Sequence, residues 1–334
     1  MASFNLIDAI QTSDVAAVLA ERNARVAKFV KRHAEAAPNY IASPELIAAV
    51  NVALSLGRPL LLTGEPGSGK TQAAYWLAWK FGIDTANGRF HRFQVRSDSR
   101  AAHLIYRYDA ASWFRASQIA QSGPRPHVPK DLYITPGPLG LAFGWHDPPA
   151  EPHAVLIDEI DKAPRDFPND LLQELEDMQA VVREDGYEKT ISCPAEARPI
   201  IVITSNAERR LPDPFLRRCV LHEIRLSADT IAKIFASQIE MALESPLDAP
   251  KQDALTAAVG FYQSRLHDLR RKPTVDQFWR WLALALHYGG RTPAEIAAAL
   301  NADAGAPPLR ELPYIATLFD DPDLSKLSPK PAAP

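Results

Sequence analysis

A short apolar run, Leu60-Leu61-Leu62-Thr63, leads into Gly64-Glu65-Pro66-Gly67-Ser68-Gly69-Lys70-Thr71, and a helical pattern, QAAYWLAWKF, follows at once. The loop fits G-x-x-x-x-G-K-[ST] and stands between a strand and a helix, the setting in which that pattern carries a mechanism. Glycines let backbone N–H groups close around phosphate oxygens with no Cβ in the way. The N-terminus of the following helix adds partial positive charge. Lys70 is placed to reach β- and γ-phosphates, and the Thr71 hydroxyl to ligate Mg²⁺. All eight residues, Gly64 to Thr71, are therefore candidate nucleotide-binding positions, with ATP and Mg²⁺ as the expected ligands.

A strand that delivers a phosphate loop needs a sheet around it. Further apolar runs lie at Phe90–Val95, Ala154–Ile157, Pro199–Thr204 and Val220–Leu226. LLLT, AVLI and IIVIT are apolar without alternation, as expected of strands buried on both faces of a parallel sheet. Helical patterns near 70–81, 98–121 and 166–180 are available to cover those faces. The expected fold is an α/β three-layer core over about 37–226. From Ser227 the strand signal stops, and helical patterns near 227–243, 251–270, 274–288 and 293–301 predict a separate helical domain, 227–302. Residues 1–36 predict an N-terminal helical segment. Ser43-Pro44-Glu45 opens another helix, with Ser43 as N-cap, Pro44 at the first position and Gly57 at the close. Residues 303–334 end in SPKPAAP and predict a tail.

The AVLI run emerges into Asp158-Glu159-Ile160-Asp161. Ligands of α/β sheets sit at the C-terminal ends of strands. Asp158 is suited to hold Mg²⁺, and Glu159 to orient and deprotonate an attacking water. The IIVIT run ends in Ser205-Asn206, where a polar side chain beside the acidic strand is placed to contact a γ-phosphate or that water. After it comes LPDPFLRRC, and Arg217 and Arg218 there are either a surface pair or a finger reaching a neighbour's nucleotide. Asp158 lies 88 positions after Lys70. That gap is too long for one helix and one strand, so it implies an insertion.

The order of these motifs, GEPGSGKT, GPLGLAF, AVLIDEIDKAP, ITSN, LPDPFLRRC and then a helical domain, resembles the MoxR family of AAA+ ATPases over about residues 40–290. The resemblance implies an AAA+ core with a helical lid, a homo-oligomeric ring that is commonly hexameric, and ATP at the subunit interface. By position, Lys70 and Thr71 match Walker A, Asp158 and Glu159 match Walker B, Asn206 matches sensor 1 and Arg218 matches the arginine finger. The insertion, about 100–140, matches the helix-2 insert of this clade. Val181–Ser192, with Asp185-Gly186 as turn signal, matches its pre-sensor hairpin. Two positions depart from the family pattern. Many members read Asp-Glu-Ile-Asn where this chain has Asp161. The position of the sensor 2 arginine is Thr274, which leaves Arg271 or Lys272 as substitutes.

By the same resemblance, hydrolysis remodels, matures or activates a partner protein, often one with a von Willebrand factor A domain. A nucleic-acid motor or loader is the second reading. The formal net charge of −3 and the short basic run Arg265, Arg270, Arg271, Lys272 give it little support, so nucleic acid is not the expected partner. A nucleotide-gated scaffold with little turnover is the third, and the intact Glu159 argues against it. Cys193 and Cys219 form no C-x-x-C pair, so neither a disulfide framework nor a zinc site is expected. No run of about 18 apolar residues occurs, and the start MASFNLIDAIQTSD does not look like a signal peptide. The expected compartment is the cytoplasm.

Overall fold

Five parallel strands carry the nucleotide-loop region: β1 (Leu60–Thr63), β2 (Phe90–Gln94), β5 (Ala154–Asp158), β8 (Ile200–Thr204) and β9 (Val220–Glu223), in the order β2-β5-β8-β1-β9. The computed structural model describes residues 15–84, 86–121, 128–184, 186–266, 272–302, 312 and 315. All five sequence-expected strands are present, and β1, β5 and β8 are buried along almost their whole length. That burial explains their unbroken apolar runs: a strand covered on both faces has no solvent side to make polar. Helices Pro44–Leu56 and Lys70–Lys80 flank β1 in the chain. The first is capped as expected, with the Ser43 hydroxyl accepting from Leu46 N at 3.1 Å and Gly57 closing it at φ 58°.

The segment 98–121 differs from the single helix its pattern suggests. A short helix, Ala102–Ile105, gives way to β3 (Tyr106–Tyr108), which pairs antiparallel with β4 (Ile134–Pro136). The helix resumes at Ala110–Gln121. Tyr106 and Tyr108 favour an extended backbone, and Asp109 restarts the helix by accepting from Ser112 N at 2.9 Å. The pattern near 166–180 also shortens, to Leu172–Asp177. Met178 then takes φ 51° and hands the chain to β6 (Gln179–Glu184), which pairs with β7 (Tyr187–Ser192) as a hairpin. Gly186 turns this hairpin at φ 74°, a value a glycine adopts without strain; Asp185 lies outside the described residues.

The described residues of Ala42–Glu65 and Gly69–Ile224 form one unit, and those of Met1–Ile41, Pro66–Ser68 and Arg225–Pro334 form a second. The second is built on helices Ala228–Leu243, Ala249–Arg265, Val275–Tyr288 and Pro293–Asn301. Ser227, Asp248, Thr274 and Thr292 cap their N-termini. Phe278, fully buried, centres the core of this unit. Its ring lies 5.8 Å from Phe235, 5.2 Å from Tyr262 and 6.1 Å from Phe261. Helix Val15–Phe29 belongs here too, held by Lys28 on Glu244 at 3.3 Å and by Arg25 over the Tyr288 ring at 4.1 Å. Cys193 and Cys219 are free thiols.

At the N-terminal ends of β2 and β5, His91 Nε2 and His153 Nδ1 lie 2.9 Å apart, so one ring donates to the lone pair of the other. Burial, reinforced by His153, pushes His91 down to about 4; burial and then Arg89 lower His153. An unfolded histidine titrates near 6.5. The unfolded chain therefore binds more protons than the folded one below that value. The pair's contribution is complete above about pH 6.5 and is lost as pH falls toward about 4. A His91→Gln protein should lose less melting temperature than wild type between pH 6.5 and 4.5. Equal acid slopes in the two proteins would contradict this account.

Candidate functional site

The loop between β1 and helix Lys70–Lys80 takes the shape a phosphate requires. Gly67 and Gly69 sit at φ 78° and 91°, where a side chain would be strained; a Cβ on Gly67 would also run into the Thr274 side chain. The Ser68 hydroxyl is buried with no partner among the described residues, an unusual cost unless a ligand supplies one. Lys70 is 7% exposed, and its ammonium donates to Gly64 O at 2.7 Å and Glu65 O at 2.9 Å. Burial lowers its pKa, while Asp161, Asp158, Glu159 and Glu65 push the other way. The ammonium thus stands in the loop, held by carbonyls that an anionic ligand would replace.

Asp158 closes β5 and is 2% exposed. Its Oδ1 accepts from Thr71 Oγ1 at 3.0 Å and from Thr204 Oγ1 at 2.6 Å; its Oδ2 accepts from Arg92 Nη2 at 2.6 Å. Because the Thr71 hydroxyl spends its proton on Asp158, its lone pairs remain for a metal ion. A hydroxyl and a carboxylate are hard oxygen donors of the kind Mg²⁺ prefers. This donor set fits a magnesium–nucleotide complex.

Glu159 follows with φ 60° and ψ 52°, a left-handed conformation costing a residue with a Cβ on the order of 1–3 kcal/mol. Its N–H donates to Thr204 Oγ1 at 2.8 Å. Its Oε2 accepts from Gln94 Nε2 at 2.6 Å and Lys162 Nζ at 2.7 Å. The turn and these donors aim the carboxylate into a cleft of about 540 Å³ that Arg96, Asp161, Lys162 and Arg209 also line.

Asp161, the departure from the Asn of the resembled family, is 4% exposed. Its carboxylate accepts from Asn206 N at 3.2 and 3.3 Å and from Glu208 N at 3.1 Å. It holds the turn after β8, where Ala207 adopts φ 58°. Asn206 is thereby fixed beside the acidic strand. Lys70, Thr71, Asp158, Glu159 and Asn206 all lie at the C-terminal ends of β1, β5 and β8.

Arg218 lies elsewhere. It lies one residue short of β9, whose first residue Val220 pairs with Leu60 at the start of β1. It therefore sits at the N-terminal end of the strands, about a strand length, roughly 10 Å or more, from the edge that carries the phosphate loop. Its Nε donates to Glu176 Oε2 at 2.8 Å and its Nη1 to Pro214 O at 3.2 Å. Among the sensor 2 substitutes, Lys272 Nζ lies 4.5 Å from the Tyr262 ring centroid, and Arg271 lies outside the described residues.

Sequence reasoning missed Arg92 and Gln94. They are two apart on β2, so they share a face, and Gln94 pairs with Asp158 in register. The signal was present in FHRFQ: polar residues at the end of a strand next to the acidic one. Only the sheet order, however, made them neighbours.

A phosphate loop, an acidic strand end and a parallel sheet in this order define a P-loop nucleotide-binding fold of the AAA+ class. Residues 59–219 match the family described as AAA domain (dynein-related subfamily). No match was found among the curated proteins. Among solved structures the chain is similar to NtrX from Brucella abortus, at 15% identity and a TM-score of 0.43, covering 77% of this chain and 54% of that one. It is also similar to RuvB from Thermotoga maritima, the Holliday junction branch migration motor, at 15% identity and 0.43, covering 77% and 66%. This chain thus spans about half to two thirds of their lengths. An ADP complex of NtrX aligns at 14% identity and 0.44, covering 84% and 57%. Among the described residues no helix is long and apolar enough to cross a membrane.

Thr204 joins the two acidic residues, so its hydroxyl is the bond whose removal should register most clearly. Thr204→Val keeps the volume but leaves a buried carboxylate oxygen and the Glu159 N–H each short of a partner. The expected loss is about 1–3 kcal/mol in denaturant unfolding, with Thr204→Ser retaining most of the stability. A valine variant as stable as wild type would contradict the assignment.

Proposed function

We propose that this protein is a MoxR-type AAA+ ATPase that couples ATP hydrolysis in a ring, of six copies by resemblance, to remodelling, maturation or activation of a partner protein in the cytoplasm. The observation that carries the reading is the convergence of Lys70, Thr71, Asp158 and Glu159 at the C-terminal edge of the sheet, with Glu159 held in a left-handed turn. Mg²⁺, when bound, neutralises phosphate charge. Thr71 and Asp158 are the residues to hold it. The loop N–H groups and Lys70 bind the phosphates, and the Ser68 hydroxyl gains a partner. Glu159 takes a proton from a water aimed at the γ-phosphorus, and Asn206 orients that water or a γ-oxygen. A partner with a von Willebrand factor A domain is the client that the family resemblance favours.

The position of Arg218 supports a role in a neighbouring subunit. From the opposite end of the strands it does not reach its own phosphate loop, whereas a head-to-tail ring brings that end of one copy to the loop of the next. Its guanidinium would then stabilise charge that develops only in the transition state.

Lys70→Ala should abolish measurable ATP binding in equilibrium dialysis. Glu159→Gln should keep binding and lose turnover by roughly 10²-fold or more. Unchanged affinity in the first, or normal turnover in the second, would overturn those roles. Arg218→Ala should bind ATP nearly as wild type and lose roughly 10³–10⁵ in rate. When it is mixed with Lys70→Ala subunits, some activity should return, because mixed rings place an intact loop beside an intact Arg218. Proven co-assembly with no recovery would show instead that Arg218 serves its own subunit.

A further inference from the structure

The Asp158 carboxylate already has a cation. Arg92 Nη2 lies 2.6 Å from Oδ2 and also donates to Gln94 Oε1 at 2.6 Å. The pair is lopsided: the Asp158 side chain is 3% exposed and that of Arg92 37%. A buried carboxylate without a countercharge is costly by several kcal/mol. Two hydroxyls on Oδ1 contribute dipoles and the Lys70 ammonium acts on Asp158 through space, but the cation in direct contact is Arg92. A divalent cation held at Thr71 and Asp158 would supply that charge itself. Held on the same carboxylate, it would repel the guanidinium.

We propose that Arg92 is the counter-ion of Asp158 before magnesium arrives, and that Mg²⁺ and Arg92 compete for the same carboxylate. The inference rests on the nucleotide-site reading. Arg92 has a route to leave, since its side chain is partly in solvent while Asp158 is not. Its departure also removes a donor from Gln94 Oε1, the residue whose amide holds Glu159 at 2.6 Å. Metal arrival at one acidic residue is thereby felt at the hold on the other. For Arg92, this makes the β2 arginine a positioning residue that sets how strongly magnesium tightens nucleotide binding.

The test is the affinity of the full-length protein for a fluorescent ADP analogue, measured in EDTA and in excess Mg²⁺. The quantity read is the ratio of the two dissociation constants, which needs no turnover. In wild type, part of the gain from magnesium is spent on displacing Arg92. Arg92→Gln should therefore raise the ratio by roughly tenfold, while Arg92→Lys, which keeps the charge, should stay close to wild type. An unchanged ratio in Arg92→Gln overturns the proposal, and so does an equal rise in Arg92→Lys. Arg92→Met, which keeps the stem, gives the same reading should the glutamine variant fail to fold. A wild-type protein whose affinity ignores magnesium would sink the nucleotide-site reading itself, and this inference with it. A clear wild-type dependence that Arg92→Gln leaves unchanged sinks the inference alone.

Discussion

The buried carboxylate of Asp158 ties together segments that the sequence keeps far apart. Thr71 stands at the start of the helix after the phosphate loop, Thr204 at the end of β8, and Arg92 on the edge strand β2, and all three donate to Asp158. A charge this deep is tolerated only when its oxygens are satisfied. The sheet order β2-β5-β8-β1-β9 satisfies it by placing the acidic strand between the donor strands β2 and β8. The same hydroxyl of Thr204 then accepts the N–H of Glu159, so the strained turn of the candidate base depends on the same bond network as the candidate metal ligand.

Asp161 extends the network by one more loop. Its carboxylate collects the N–H groups of Asn206 and Glu208, so the loop after β8 is positioned by the turn after β5. Neighbouring strand ends are thus coupled through side chain to backbone contacts, which fix geometry more tightly than contacts between two mobile side chains. The carboxylate suits a turn whose open N–H groups need an acceptor.

The five strands and the loop were legible because their signals are local. LLLT, AVLI and IIVIT are apolar since both faces are covered, and GEPGSGKT needs its glycines for backbone angles that the chain does adopt at Gly67 and Gly69. The capped helix Pro44–Leu56 was legible for the same reason. What escaped depends on pairing across long separations. Tyr106–Tyr108 continues a helical pattern in sequence and becomes a strand only because Ile134–Pro136 lies beside it. Arg92 and Gln94 look like the solvent side of a strand until the sheet order sets them against Asp158 and Glu159. Glu176 carries no motif at all, yet it holds Arg218 at 2.8 Å.

The central claim is that water attacks the terminal phosphorus of a nucleotide held at this loop. Incubation of the protein with MgATP in ¹⁸O-enriched water, with mass analysis of both products, tests it most directly. The account predicts ADP free of label and inorganic phosphate that carries a solvent oxygen. Label in ADP, or no phosphate release under conditions where the nucleotide is bound and the protein assembled, would contradict it.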